Sequence, residues 1–303
     1  MCGIVGIFSK TPEVSERLGE HLGAMLVEMG ERGPDSAGIA IYRDPVPSGH
    51  SKLCLFASAP EYDWITLHAE LRGAFGAPHE PEVRASHAVF VVEAQAQDAR
   101  RWLADHHPEL RVMSAGEVIE IYKEMGLPSQ FVSRFALSEL SGTHALGHTR
   151  MATESRVTTI HSHPFSTGLD LCLVHNGSLS NHNRLRIELR RAGIEFATDN
   201  DSEVAAGFLT WRLAEGESIE EALEGCIGAL DGFYTFAVGT RDGFAVLRDP
   251  IGCKPAVLAE TDDWVAMASE YRAIAVLPGS DDAAVWEPAP GEVYSWRREL
   301  VAQ

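Results

Sequence analysis

The chain contains 303 residues, of which 45% are hydrophobic and 23% are charged, and these proportions are ordinary for a globular protein. Acidic residues outnumber basic residues by 44 to 25, and the formal net charge of −19 argues against a general surface for nucleic acid or an anionic membrane. The five scattered cysteines predict no disulfide scaffold and favour the reducing cytoplasm. No apolar run reaches the roughly 18 residues that a membrane-spanning helix needs.

The first half of the chain predicts short strands, one amphipathic helix and a compact insert. Strands are expected within 1–8 and at 37–42 and 53–56, and a helix at 14–29. The pattern then becomes strand 88–92, helix 96–106, strand 110–113 and helix 116–124. This β-α-β-α order predicts an inserted subdomain at 76–140, within one domain that spans residues 2–303.

The second half predicts strands, then helices, then strands again. Strands are expected at 145–150 and 171–175, followed by helices at 180–192, 201–214 and 218–229. The last third predicts antiparallel strands at 232–239, 244–248, 256–260, 264–268 and 292–297. This order favours an α+β protein built in layers over an alternating α/β sheet.

Cys2 is the first candidate catalytic residue. Loss of Met1, which a small second residue permits, would give Cys2 both a thiol and a free α-amine. An α-amine titrates near pKa ~7.7–8.0 and can therefore act as a base toward its own thiol. The alternative interpretation is a small buried hydrophobe on a strand, and Cys2 considered alone does not decide between the two.

Two arginines lie in polar clusters at predicted turns or strand ends. Arg32 opens the turn at 32–35, which by itself is typical of the end of a helix. Arg150 ends an apolar strand, where a guanidinium is well suited to hold a carboxylate through two hydrogen bonds. The alternative interpretation of Arg150 is a salt bridge at the strand end.

Two further clusters carry groups that suit an amide substrate. Asn176 and Gly177 end an apolar strand, and an Asn side-chain amide beside a Gly N–H can form an oxyanion hole. Asn-Gly is also a common turn pair. Asp201 opens a predicted helix, where it can either stabilise the first turn or accept a substrate ammonium. Together, the four clusters complement an amino acid with a hydrolysable side-chain amide, glutamine above all.

The order of these motifs resembles that of the class II glutamine amidotransferases, whose N-terminal-nucleophile glutaminase domains have a four-layer αββα fold. The resemblance runs from residue 2 to about 295. The matching segments are Cys2-Gly3-Ile4, Arg32-Gly33-Pro34-Asp35, His148-Thr149-Arg150, His163-Pro164, His175-Asn176-Gly177, Asp201-Ser202-Glu203, Arg248-Asp249-Pro250 and Ala268-Ser269-Glu270. It implies an α+β, four-layer αββα sandwich with the small β-α-β-α insert added.

The resemblance also implies a role for each candidate residue. Cys2 is the nucleophile with its α-amine as general base, and Asn176 and the Gly177 N–H hold the oxyanion. The substrate-binding residues are Arg150 for the α-carboxylate with support from Thr153, Asp201 for the α-ammonium, and His148 and Arg32 in loops that order the site. Attack on the amide gives a thioester and ammonia, and water then releases glutamate. No metal or cofactor is expected in this chain.

Two residues depart from the pattern of the family. Met151 and Glu154 stand where relatives with a His-Thr-Arg-Trp-Ala-Thr motif often carry an aromatic residue and a histidine, so the pocket walls are expected to differ. Among the other cysteines, Cys54, Cys172 and Cys226 are expected in the core, and Cys253 in a turn without a metal role.

The resemblance uses nearly the whole chain, whereas family members usually carry a synthase domain that consumes the ammonia. It therefore implies a glutaminase subunit that supplies ammonia to a synthase subunit on another chain. The systems it is most similar to are glutamate-synthase-like, including N-methylglutamate synthase, where partner subunits carry FMN and iron–sulfur clusters. A hydrolase of another γ-glutamyl amide and a catalytically silent regulatory subunit remain alternatives. The insert is either a surface addition or an element that docks the partner.

Overall fold

A computed structural model of the chain describes residues 2–151 and 157–298, and within these ranges it contains fifteen strands and eight α-helices. The strands are β1 (Gly3–Ser9), β2 (Ser36–Tyr42), β3 (Ser51–Phe56), β4 (Glu82–Arg84), β5 (His87–Val92), β6 (Arg111–Gly116), β7 (Ile119–Met125), β8 (His144–Arg150), β9 (Cys172–Leu179), β10 (Gly232–Thr240), β11 (Gly243–Arg248), β12 (Val257–Glu260), β13 (Trp264–Ala268), β14 (Ala284–Trp286) and β15 (Val293–Arg297). The helices are α1 (Pro12–Glu16), α2 (Leu18–Glu28), α3 (Trp64–Phe75), α4 (Ala96–His106), α5 (Pro128–Arg134), α6 (His182–Arg191), α7 (Asp201–Ala214) and α8 (Ile219–Ala229).

Two antiparallel sheets form the centre of the molecule. The first has the order β14-β12-β13-β1-β8-β2-β7, and the second has the order β15-β11-β10-β9. The sheets face each other, since the rings of Phe8 on β1 and Phe244 on β11 lie 6.2 Å apart. Every residue of β1 is buried, as expected for a central strand that is covered on both faces.

Helices cover the outer face of each sheet. The apolar stripe of α2, which includes Leu22 and Leu26, packs on the first sheet, and a Cβ added at Gly147 of β8 would lie 3.0 Å from Leu26. Helices α6, α7 and α8 share a second buried cluster with β9 and β10. The order helix, sheet, sheet, helix confirms the four-layer α+β sandwich.

The third sheet packs on both of its faces: residues such as Cys54 and Val89 join the core of the first sheet, and the alternate residues face a cluster of their own. Its order is β4-β5-β3-β6, and together with α3 and α4 it encloses its own buried cluster, which includes Leu53, Leu67 and Phe90. Strand β7 and helix α5 instead belong to the first sheet and its core. From this sheet and its two helices we propose that the inserted subdomain spans 51–116, whereas the sequence predicts 76–140.

The helix predicted at 116–124 is wrong, because this segment forms β7 and pairs with β2. Its turn from β6 is fixed by Asp170, whose carboxylate accepts hydrogen bonds from the N–H groups of Glu117 at 2.8 Å and Val118 at 2.9 Å. This partner lies some fifty residues away in sequence, so local periodicity does not reveal it. No helix within the described residues is long and apolar enough to cross a membrane.

Candidate active site

Cys2 lies at the start of the central strand of the first sheet. It is half-buried and precedes β1, whose Gly3 pairs with Thr149 of β8. The N–H of Ile4 donates to the Ser269 hydroxyl at 2.9 Å, and the Ser269 N–H donates to the Ile4 carbonyl at 2.9 Å. Strand pairing on one side and Ser269 on the other therefore fix the backbone directly behind Cys2.

The carbonyl oxygen of Cys2 accepts two side-chain hydrogen bonds. Arg32 Nε donates at 3.1 Å, and Asn176 Nδ2 donates at 3.3 Å. Two of the four clusters that were singled out in the sequence therefore meet at Cys2, although they lie 30 and 174 positions away along the chain. Both contacts use the Cys2 carbonyl and neither uses its thiol or its backbone nitrogen.

Arg32 is itself held by a carboxylate. Its Nη1 donates to Glu270, and this hydrogen bond and charge lower the pKa of the Glu270 carboxyl. Arg272 approaches the same carboxylate, with its Nε 2.8 Å from Oε2. Glu270 was part of a matching segment in the sequence but received no role there. Its partner Arg32 lies 238 positions away.

Gly177 occupies a position that only glycine fits. Its φ of +156° lies outside the common range of other residues, and an added Cβ would lie 2.0 Å from the Phe233 carbonyl oxygen and 2.6 Å from His175 Nε2. The residue is exposed next to Asn176. Strand β9 of the second sheet therefore brings the Asn176 side chain to Cys2 of the first sheet, with the exposed Gly177 beside it.

Arg150 ends β8, one strand away from Cys2. The residue is buried, and its Nη1 donates to the carbonyl oxygen of His161 at 3.0 Å. The turn at Gly33 lies directly against this strand end, because a Cβ added at Gly33 would lie 2.4 Å from the Arg150 backbone nitrogen. The 32–35 turn thus serves two purposes: Arg32 reaches Cys2, while Gly33 permits close packing on Arg150.

Asp201 is the first residue of α7 and faces the end of β9. Its Oδ2 accepts from the Leu179 N–H at 2.9 Å, and its Oδ1 accepts from the Ser202 hydroxyl at 3.3 Å. The preceding loop is held by Glu203, which accepts from the N–H groups of Ala197 and Thr198, both at 2.8 Å. An ionised carboxylate offers about four lone-pair positions, so Asp201 keeps capacity to accept from a ligand.

His148 lies in a buried group of three imidazoles with His163 and His175. Its ring stacks on that of His163 with centroids 4.0 Å apart, and its Nε2 donates to the His175 carbonyl at 3.2 Å. Burial lowers the pKa of His148 to about 3, so the ring is neutral near pH 7. The predicted contact of His148 with substrate stays a prediction.

Some predicted features lie outside the described residues, namely Met1, Thr153 and Glu154. Met151, the other departure from the family pattern, is exposed. Cys54, Cys172 and Cys226 are buried, which confirms their predicted place in the core, and Cys253 is exposed. Across residues 2–151 and 157–298, no group of three or more His, Cys, Asp or Glu side chains could hold a metal ion.

Comparisons with known proteins agree on one family. A model described as a glutamine amidotransferase domain matches residues 148–276. The chain is 52% identical to the glutamine amidotransferase-like protein GlxB of Rhizobium meliloti, with 100% of both chains covered. It is 31% identical to a putative glutamine amidotransferase of Methanothermobacter thermautotrophicus, covering 97% of this chain and 98% of the relative.

The fold comparison reaches the same architecture. Glutamine phosphoribosylpyrophosphate amidotransferase from B. subtilis matches with a TM-score of 0.60 at 21% identity, covering 99% of this chain and 50% of that structure. An amidophosphoribosyltransferase of Synechocystis is 37% identical over 174 residues, which are 54% of this chain and 34% of that protein. The fold is therefore shared with enzymes that are about twice as long or longer.

Proposed function

Because the chain belongs to the class II glutamine amidotransferases and hydrolyses the glutamine side-chain amide, we propose that Cys2 is its nucleophile and that the ammonia serves a separate synthase subunit. The proposal that Cys2 is the nucleophile rests on the two hydrogen bonds that Arg32 and Asn176 donate to the Cys2 carbonyl. They support a nucleophile whose backbone is fixed while the thiol and the α-amine are left for chemistry.

The proposed reaction starts once Met1 has been removed. The α-amine of Cys2 takes the thiol proton, and the sulfur attacks the side-chain carbonyl carbon of glutamine. The C–N bond then breaks, the proton passes to the leaving nitrogen, and ammonia departs from a thioester. Water attacks the thioester with the amine again as base, which releases glutamate and restores the thiol.

The neighbouring groups supply the substrate contacts. The Asn176 amide and the Gly177 N–H receive the oxyanion, Arg150 binds the α-carboxylate with help from Thr153, and Asp201 binds the α-ammonium. This assignment is supported by the end of β8, which lies beside the start of β1, and by Asn176 of β9, which donates to the Cys2 carbonyl. Removing one oxyanion donor costs on the order of 10²–10³ in kcat in comparable enzymes.

The ammonia acceptor is proposed to be a glutamate-synthase-like or N-methylglutamate synthase complex, whose FMN and iron–sulfur clusters reside in other subunits. The alignment along almost the full length of two amidotransferase relatives supports an acceptor on a separate chain, and it contrasts with the 34% and 50% coverage of the longer phosphoribosyl-transferring enzymes. Purification of the native protein with a flavin-containing partner is the expected result. A partner without flavin, or none, would count against this acceptor.

Intact-mass spectrometry tests the nucleophile. The protein is incubated with a glutamine-like diazoketone, and loss of Met1 with one adduct at Cys2 is expected. Cys253→Ala is the matched control, because Cys253 is an exposed thiol that lies outside the proposed chemistry. A Cys2→Ala variant that still hydrolyses glutamine, or a wild-type adduct on Cys253, would contradict the proposal. Turnover of γ-glutamyl amides in preference to glutamine would contradict the substrate.

A further inference from the structure

A lysine is buried behind the candidate active site. Lys123 lies on β7, is 4% exposed, and pairs in register with Gly38 of β2. Its ammonium donates to the carbonyl oxygens of Ser162 at 2.9 Å, Pro164 at 3.1 Å and Ile160 at 3.3 Å. Three carbonyls of one short segment therefore converge on a single side chain.

This arrangement lets a charged group stay in the interior. An isolated buried ammonium is strongly unfavourable, and three carbonyl acceptors together with the face of an aromatic ring offset much of that cost. The ring is that of Phe165, whose centroid lies 5.0 Å from Nζ. Burial lowers the pKa of Lys123 to about 8, while the charge of Glu203 opposes this shift, so the ammonium form is favoured at pH 7.

The sheet is shaped to bring this segment close. A Cβ added at Gly38 would lie 2.1 Å from the His163 carbonyl oxygen and 2.7 Å from the Lys123 Cβ. Glycine at position 38 therefore allows the 160–164 segment to lie against the strand from which Lys123 projects. The absence of a side chain at Gly38 therefore permits the contact between this segment and Lys123.

The same segment also holds Arg150. Lys123 binds the carbonyls of residues 160, 162 and 164, and the carbonyl of His161 between them accepts from Arg150 Nη1 at 3.0 Å. Because the carbonyls of residues 160, 162 and 164 are held by Lys123, the direction of the His161 carbonyl between them is restricted as well. A lysine that is remote from Cys2 in sequence sets the position of a group that Arg150 uses for its own orientation.

We propose that Lys123 is a positioning residue for glutamine, which anchors the 160–164 segment so that the Arg150 guanidinium is presented to the substrate α-carboxylate. The inference rests on the proposed role of Arg150. The hydrogen bonds and the ring contact of Lys123 lie in residues 160–165, so we expect its loss to act on substrate recognition and to leave the nucleophile intact.

The test compares Lys123→Met with Lys52→Met. Lys52 is the matched control, because it is another buried lysine and its ammonium pairs with Glu120 at 3.0 Å within another charge cluster. For Lys123→Met we expect the KM for glutamine to rise at least tenfold, with kcat and the rate of Cys2 alkylation by iodoacetamide within threefold of wild type. Iodoacetamide carries no α-carboxylate, so its reaction reports the thiol without requiring Arg150. For Lys52→Met all three quantities are expected to stay within threefold.

Lys123→Gln keeps two N–H donors without the charge, and it serves as a second variant with an expected intermediate KM. An unchanged KM in either folded variant would overturn the proposal, as would equal losses in KM, kcat and alkylation. Failure of both variants to fold while Lys52→Met folds would likewise overturn it, by showing support of the fold as a whole. Arg150→Lys is measured in parallel. If its KM for glutamine is unchanged, the proposed role of Arg150 is wrong. If its KM rises while that of Lys123→Met does not, only the anchoring role of Lys123 is wrong.

Discussion

Replacing Arg32 with lysine tests how strongly the grip on Cys2 contributes to catalysis. The guanidinium bridges two acceptors, with Nε on the Cys2 carbonyl at 3.1 Å and Nη1 on Glu270, whereas a single ammonium cannot reproduce this fork. A hydrogen bond from a charged donor contributes about 1.5–3 kcal/mol, which corresponds to roughly 10- to 150-fold in rate. Because Asn176 still donates to the same carbonyl at 3.3 Å, we expect the lower part of this range, about tenfold.

The assay is the rate at which the diazoketone forms its adduct at Cys2, followed by intact mass so that removal of Met1 is checked in the same spectrum. Arg17→Lys is the control, since Arg17 makes a similar two-point contact with Glu20 at 2.8 and 2.7 Å on the surface. We expect its rate to stay within twofold of wild type. A wild-type rate for Arg17→Lys, together with a slower rate for Arg32→Lys, would show that the effect depends on the position of Arg32 beside Cys2.

The result that would refute this reasoning is an Arg32→Lys rate within twofold of wild type in protein whose Met1 has been removed. The combination with Asn176→Ala gives a second check. Because both donors share one acceptor atom, the double variant is expected to lose more than the product of the single losses. A loss in the double variant equal to the product of the single losses would mean that Arg32 and Asn176 contribute independently of each other, and not through the carbonyl that they share.

Three further predictions follow from the site and its surroundings. Gly177→Ala is expected to lower the Tm and kcat, because the added Cβ would lie 2.0 Å from the Phe233 carbonyl oxygen; a wild-type Tm from thermal unfolding would contradict this. Glu203→Gln is expected to lower the free energy of unfolding in urea by about 1–3 kcal/mol and to raise the KM for glutamine, because one of the two backbone N–H groups that Glu203 binds before Asp201 loses its acceptor. Glu221→Gln is the control, since Glu221 caps a helix at the surface, and an equal loss of stability there would contradict the prediction. Burial holds the pKa of His144 at about 3, below the unfolded value of ~6.5, so the unfolded state takes up protons first and stability falls as pH drops from 6.5 toward 3. His144→Gln is expected to remove about 1 kcal/mol of the loss between pH 7 and 5.5, measured by urea unfolding, and an unchanged pH slope would contradict the assignment.

Two helices could be predicted closely from their own apolar periodicity. Helix 96–106 has the predicted ends, and so does helix 201–214, whose first turn is capped by the Asn200 side chain on the Ser202 N–H at 2.8 Å. The helix predicted at 116–124 failed because the β6–β7 turn depends on Asp170, which belongs to a loop before β9. Apolar residues alone do not distinguish a short buried strand from a helix.

The candidate site could be predicted as a set of residues but not as a set of contacts. The motifs predict Cys2, Arg150 and Asn176 as site residues, because each carries a chemical group that suits the hydrolysis of an amide. The motifs assign no role to Glu270 or Lys123, because these two residues contact other parts of the protein. Glu270 binds Arg32, and Lys123 binds carbonyls of the 160–164 segment. Such supporting residues become visible only when distant strands are placed side by side.

Under the proposed mechanism Cys2 becomes the terminal residue once Met1 is removed, and terminal residues are ordinarily poorly ordered unless they are tied down. In that mechanism the α-amine must stay available as a base, so the fold would have to fix Cys2 without using its nitrogen. Here the next residues form the central strand of a seven-stranded sheet, and the only backbone acceptor of Cys2 is held by Arg32 and Asn176. The observed hydrogen bonds thus hold Cys2 from its carbonyl side. They come from residues 30 and 174 positions away along the chain, which meet at the start of β1 in the folded protein.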